Sequence, residues 1–343
     1  MLQFYNRFGT LLKHFGPLLR LHLKELRYLL LVLLLVSSKL ANAQDSLTYQ
    51  RALFFQFDND LLFFDAGDRY YTNGLFFGYR QQTKQDGKLN NLFRFDSMEK
   101  STWELSLISK IFNPYDLKGV VADEIDRPYA GLIYANVLYN SIWDSFVWSL
   151  GADMGWLGPK TGIGNIQYNL HRTIGWVHPR GWDNYQINDT PILQFISSVN
   201  KEWFYSPGIA ISSKLGAKFG SIENQLVFNS SLRMGRCLSL GNSTLSNSSI
   251  GRITSDERKY KEIFFVYQPE VKRVFYDATI DGNLIGTPSD FVRESREWVF
   301  RHSLGLMLST NRTDFHAQWS FLTREVEGGK RHKYGTLILT HRF

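Results

Sequence analysis

Two stretches near the C-terminus, Trp298-x-Phe300-x-His302-x-Leu304-x-Leu306-x-Leu308 and Phe315-x-Ala317-x-Trp319-x-Phe321, repeat with a period of two. Successive side chains of a strand point to opposite faces, so this spacing gathers the apolar groups on one side of an extended chain. A helix, with its period of 3.6, would scatter them. Twelve segments fit the same template, near 52–58, 70–82, 102–110, 129–140, 145–156, 191–204, 208–219, 223–234, 260–279, 296–309, 313–326 and 333–343. Composition then decides what the apolar faces meet. Aromatic residues make up 15% of the chain, yet the mean hydropathy is −0.24. Strands that turn every second residue to lipid, carry aromatic girdles and line a polar lumen reconcile those values without a long apolar run. The expectation is an all-β domain over 44–343, a twelve-stranded antiparallel transmembrane β-barrel of the outer-membrane type. Pro269 is the misfit within 260–279. It implies a bulge or a rim position, because proline donates no ladder hydrogen bond.

The N-terminus reads as an export segment. Lys24 and Arg27 precede the apolar run 28–36, and Ala41-Asn42-Ala43 has the small-x-small form of a cleavage site. Residues 1–43 are therefore expected to be a secretory signal peptide with an N-terminal extension, and the mature chain to begin at Gln44. The apolar run falls short of the roughly 20 residues that a spanning helix needs. Residues 1–43 also hold six Lys/Arg against Glu25 alone, so the mature chain keeps only +2 of the formal +7. That leaves no basic footprint for nucleic acid. Cys237 is the only cysteine, which excludes an intramolecular disulfide. The last segment ends at Phe343 with Leu337, Leu339 and His341 on one face, which resembles the C-terminal signature of outer-membrane proteins. A monomer in the bacterial outer membrane is expected.

With both termini on the periplasmic side, the connections after odd-numbered strands open at the cell surface. They hold the polar motifs: Asn113-Pro114, Lys118 and Asp126-Arg127-Pro128-Tyr129-Ala130-Gly131 in one, and Gly158-Pro159, Gln167, His171 and Gly181-Trp182-Asp183-Asn184 in the next. Connections 83–101 and 235–258 fall on the periplasmic side and are long where short turns are usual.

Phe57-Asp58-Asn59-Asp60 and Asp68-Arg69-Tyr70-Tyr71-Thr72-Asn73-Gly74 present polar tips from neighbouring strands. Alone, Asn73-Gly74 and Ala66-Gly67-Asp68 would be ordinary hairpin chemistry. The second cluster changes that reading. A short surface helix is expected over 163–177, preceded by Gly162 and Gly164 and closed by Pro179. Its stripe Ile166, Leu170, Ile174 and Val177 would dock on the barrel. Gln167 and His171, at i and i+4, share another face of it. Ester hydrolysis needs a base to activate water and a positive group for the developing oxyanion. His171 can be the base. Asn59, Asp60 and Thr72 offer hard oxygen ligands that suit Ca²⁺ better than a soft metal. Asn59 and Asp60 converge only where their strand ends or bulges.

Asn59-Asp60, Tyr71-Thr72-x-Gly74, Asp126-Arg127, Gly158-Pro159 and Gln167-x-x-x-His171-Arg172, in that order, resemble the pattern of outer-membrane lipid A 3′-O-deacylases. The resemblance implies a calcium-dependent site near the outer leaflet that removes the 3′-linked acyloxyacyl chain from lipid A of lipopolysaccharide. By that likeness His171 is the general base, Asn59, Asp60, Thr72 and Gln167 are active-site residues, and Lys118 corresponds to a catalytic-loop lysine. Characterised members carry an acidic residue six positions beyond the histidine, where this chain has Val177. Two rivals remain. An outer-membrane phospholipase would need a His-x-Ser pair, which does not occur; a porin or structural barrel would make the polar motifs rim decoration.

Overall fold

The computed structural model describes residues 49–63, 68–84, 95, 97–251 and 261–343; the signal peptide expected over 1–43 and the Ala66-Gly67 turn lie outside them. Twelve strands form a closed antiparallel barrel in which each pairs with its sequence neighbours and the first with the last. They are β1 (Arg51–Asn59), β2 (Tyr70–Gln82), β3 (Lys100–Asn113), β4 (Ala130–Trp143), β5 (Phe146–Leu157), β6 (Thr190–Ser206), β7 (Ile209–Gly220), β8 (Glu223–Arg236), β9 (Glu262–Asp277), β10 (Trp298–Ser309), β11 (Thr313–Leu322) and β12 (His332–Arg342). Every segment expected from the alternation overlaps its strand. Phe343 closes the cylinder, since its N–H donates to Arg51 O at 2.9 Å and its carbonyl accepts from Arg51 N at 3.2 Å.

The period of two sorts the two faces. Trp298, Phe300 and Leu304 of β10 and Phe315, Trp319 and Phe321 of β11 are exposed on the outer wall, while Ser303, Ser309, Asp314, His316 and Ser320 are buried inside. Several charged groups in the lumen are paired, as burial demands. Arg80 Nε donates to Glu104 at 2.8 Å, Arg342 to Asp314 at 2.5 Å, and Arg233 to Glu202. Pro269 neither bulges nor reaches the rim. It stays in register with His302 of β10, and the β8 ladder keeps one register across it, lacking only the pairs between Asn229↔Glu270 and Leu232↔Tyr267. The absent N–H is absorbed by that short gap.

Tight connections at the end holding the termini, such as Asp144-Ser145 and Pro207-Gly208, contrast with long loops at the other end. The connection from β8 to β9 breaks the rule for a visible reason. Its residues 237–251 fold into the barrel mouth. Glu262 accepts from Leu238 N at 3.0 Å, Ser243 Oγ at 2.9 Å and Thr244 N at 2.8 Å. Lys100 Nζ donates to Ser248 O at 2.8 Å, Ser249 Oγ to Asp314 at 3.0 Å, and Thr244 Oγ1 bonds with His316 Nε2 at 2.7 Å. These partners come from β3, β9 and β11, so the segment is a floor held from several sides. Leu245, Ser246 and Asn247 line the base of a lumenal cavity of about 540 Å³. At the opposite end Leu117, Ile125, Tyr129, Ile163, Trp182 and Phe291 form one apolar cluster that ties three outer loops together. The outer end is thereby a packed platform.

Candidate active site

β1 ends at Asn59, and a 3₁₀ turn, Asp60–Phe63, begins at once. Asn59 Oδ1 accepts Leu61 N–H at 2.7 Å, an Asx turn that lets Asn59 and Asp60 both be buried, as the strand-end argument requires. Asn73-Gly74 lies inside β2, not at a hairpin tip. The β2–β3 register instead slips at Thr72, where Tyr71 faces Phe112 and Asn73 faces Ile111. Such a bulge re-aims side chains. Tyr71 turns inward and its hydroxyl donates to Asp58 Oδ2 at 2.7 Å, occupying the space that a Cβ on Gly74 would take. Thr72 meets the acids. Its Oγ1 donates to Asp68 Oδ1 at 2.8 Å and lies 3.4 Å from both oxygens of Asp60, while Asp60 Oδ2 accepts Arg69 N–H at 2.9 Å.

The second half of the site comes from helix α1 (Ile163–Ile174), which is shorter than expected. Gly175, at φ 73°, takes the left-handed conformation that ends it before Val177 and Pro179. Its orientation is the reverse of the expected docking. Ile166 and Leu170 are 61% and 53% exposed, and it is Ile163, Gln167 and His171 that are buried. In a lipid setting apolar exposure carries little penalty, so the polar pair with hydrogen-bond partners decides which face turns inward. Gln167 Oε1 accepts from Trp182 Nε1 at 2.8 Å. His171 Nδ1 lies 2.6 Å from Val177 O and must carry the proton there; its Nε2 lies 3.1 Å from Asp68 Oδ2.

The structure thus brings His171, Asp60 and Thr72 together through Asp68, a residue of the polar stretch singled out in the sequence to which the sequence assigned no role. Asn59 is adjacent, and Gln167 abuts through the helix. For Lys118 the side chain is exposed and its N–H is held by Asp116 Oδ1, and among the described residues no hydrogen bond or ion pair joins it to the cluster. Burial pushes the Asp60 carboxyl up to about 8, with the nearby Asp68 charge adding to the rise and the Arg69 N–H opposing it. Burial works to lower His171, but the Asp68 hydrogen bond and the Val177 carbonyl outweigh it and hold the imidazole above its usual value. Two acids and a hydroxyl therefore converge where burial, with the Asp68 charge adding to it, opposes ionisation of Asp60. Among the described residues no group of three or more His, Cys, Asp or Glu side chains is disposed to hold a metal. The oxygen donors here are the two carboxylates and Thr72 Oγ1.

A family model described as "Outer membrane protein LpxR" matches residues 29–343. No curated protein matches the chain. Among solved structures, LpxR from Salmonella typhimurium aligns with a TM-score of 0.66 at 18% identity, covering 85% of this chain and 100% of that one. The β domain of the Bordetella autotransporter BrkA aligns at 0.41, with 7% identity over 86% of this chain and 99% of that one. The transport unit of autotransporter AIDA-I from Escherichia coli aligns at 0.42, with 7% identity over 88% and 92%.

Proposed function

This chain belongs to the LpxR family of outer-membrane proteins, and from that premise we propose that it hydrolyses the ester linking the 3′ acyloxyacyl chain to lipid A. The observation that carries the reading is the buried His171, oriented at Nδ1 by a main-chain carbonyl and presenting Nε2 to the Asp60–Asp68–Thr72 cluster at the outer rim. A base fixed at one nitrogen is ready to act at the other. With the imidazole neutral and the Asp68 carboxylate turned from Nε2 to the oxygen cluster, Nε2 would take a proton from water as the water oxygen attacks the ester carbonyl carbon. Collapse of the tetrahedral adduct breaks the bond to the sugar oxygen, which recovers the proton from the imidazolium. The products are the free acyl chain and a 3′-hydroxyl.

Hard oxygens converging in one site fit Ca²⁺ or a similar divalent cation. Asp60, Asp68 and Thr72 would hold it, with Asn59 beside them and lipid or water oxygens completing the shell. When bound, the ion would supply positive charge to the carbonyl oxygen. Gln167, kept in place by Trp182, fixes the helix face that carries His171. One barrel contains the whole cluster, which supports action as a monomer. The floor formed by 237–251 speaks against an open diffusion pore, and so against the porin reading.

Mass spectrometry of lipid A from cells with and without the protein tests the proposal. Loss of the 3′ acyloxyacyl mass should accompany the wild-type chain. His171→Ala should slow release by about 10²–10⁴-fold at unchanged folded yield. Unaltered lipid A in wild-type cells, or full release by His171→Ala, refutes it.

A further inference from the structure

A separate pocket of about 350 Å³ opens at the rim beside the acidic cluster, between the chain after β1 and the β11–β12 loop. Asp60 belongs to both, so the two are continuous. Three cations from segments far apart in sequence line it: Arg69, Arg331 and Lys333. Phe321, exposed on the outer wall, forms its lipid-side edge. Of the acids of the β11–β12 loop, Glu327 pairs with Arg296, and Glu325 pairs with Arg127 at 3.3 Å while lying 3.8 Å from His332 Nδ1. Among the described residues neither Arg69 nor Arg331 has a carboxylate partner. Arg69 rests on the Tyr115 ring at 4.3 Å, and Lys330 lies 3.6 Å from the same ring centroid. For Arg69 and Lys330 an aromatic face collects the positive charge.

His332 lines the pocket too. Its side chain is 5% exposed, and Nε2 is buried without a hydrogen-bond partner. Buried polar atoms are seldom left so, and Nε2, when it carries the ring proton, is a free donor in the pocket that Arg69 and Arg331 also line, a set that suits an anionic ligand. Arginine forks match phosphate oxygens two at a time.

We propose that this pocket binds the phosphate monoester of the glycolipid substrate, on the sugar that also carries the scissile ester. The proposal rests on the deacylase reading and adds a recognition element to it. Asp60 joins the two subsites, so the phosphate would place the ester against His171 while Phe321 leaves the acyl chains in the leaflet. Headgroup charge then selects the substrate, and the register of the sugar at the cluster follows from it.

The test uses the full mature barrel in detergent, with fluorescence-detected binding and acyl release measured on two lipids: phosphorylated lipid A, and the same lipid lacking the phosphate on that sugar. Wild-type affinity should drop by about tenfold or more when the phosphate is removed, the size of one charged hydrogen bond. Arg331→Gln, in an exposed loop where folding is not at risk, and Arg69→Gln should each weaken binding of the phosphorylated lipid about tenfold and leave the dephosphorylated lipid unaffected. Inorganic phosphate should compete only against the phosphorylated lipid. Equal wild-type affinity for both lipids, or equal losses on both in the variants, overturns the pocket. The failures are separable. Phosphate-dependent binding without acyl release sinks the hydrolase and keeps the pocket, whereas cleavage indifferent to phosphate sinks the pocket and keeps the hydrolase.

Discussion

Glu262→Ala should open the barrel at its periplasmic end. The Glu262 carboxylate accepts three hydrogen bonds from the segment that floors the lumen, from Leu238 N, Ser243 Oγ and Thr244 N, all between 2.8 and 3.0 Å, and the residue is 2% exposed. Hydrogen bonds to a charged acceptor contribute about 1.5–3 kcal/mol each. The three share one carboxylate and are not additive, and water entering from the periplasm will recover part of the loss. A net weakening of the floor by about 3–5 kcal/mol is the consequence, in the range for removing one partner of a buried charge network. Since 1.4 kcal/mol is tenfold, the open population should rise by more than about 100-fold. Planar-bilayer recording would show a closed wild type and intermittent conductance in the variant. Proteolysis after reconstitution should cut the variant within 238–250 and spare the wild type. A closed, protease-resistant Glu262→Ala barrel would refute the energetic argument. Steady conductance in the wild type would show that the floor is no seal, and would return the porin reading.

Two further outcomes follow from the site. Asp60→Ala should weaken cation binding, so its loss of acyl release should be partly rescued by raised Ca²⁺, whereas His171→Ala should not respond; an identical calcium response in both variants would show that base and ligand roles were misassigned. Cys237→Ala should keep full activity and lose about 1 kcal/mol or less, because the buried Sγ makes weak contacts with Ser206 O at 3.8 Å and Pro207 O at 4.0 Å; inactivity at normal folded yield would contradict this.

The barrel was legible because lipid enforces the alternation on every strand, as at Trp298-x-Phe300 and Phe315-x-Ala317-x-Trp319. The same lipid misleads at α1. A stripe of Ile166, Leu170, Ile174 and Val177 signals a core face in water, but here Ile166 and Leu170 are exposed and the partners of Gln167 and His171 decide the facing. Those partners, Trp182 from further along the same loop and Asp68 from the β1–β2 loop, lie outside the helix, and spacing within it cannot reveal them. Asp68 stood in a polar stretch singled out from the sequence but took no role there, since only the Thr72 bulge and the helix bring it to the imidazole. Pro269 shows the reverse: a strong local signal for a bulge yields to pairing on both sides, at the cost of a gap in one ladder. Likewise no local pattern joins Arg69 to Arg331. Only closure of β1 against β12 brings them to one pocket.

Closure of the site also bears on position 177, where an acidic residue is implied by the resemblance and valine stands. An acid there would be needed if a side chain had to orient or charge the imidazole. Neither task is vacant. Orientation falls to the Val177 carbonyl, which receives Nδ1–H at 2.6 Å and which any residue would supply. The negative partner is Asp68, 3.1 Å from Nε2 and itself fixed by Thr72. Val177→Ala should therefore hold acyl release within about twofold of wild type, as expected for a surface change away from special features. Asp68→Asn keeps the shape and removes the charge, and its loss of one charged hydrogen bond should slow release by about 10–100-fold. Both variants should fold, since heat-modifiable mobility depends on the strands and not on the rim. A Val177→Ala loss as large as that of Asp68→Asn would mean that the side chain at 177 positions the base, and the division between carbonyl and Asp68 would have to be abandoned.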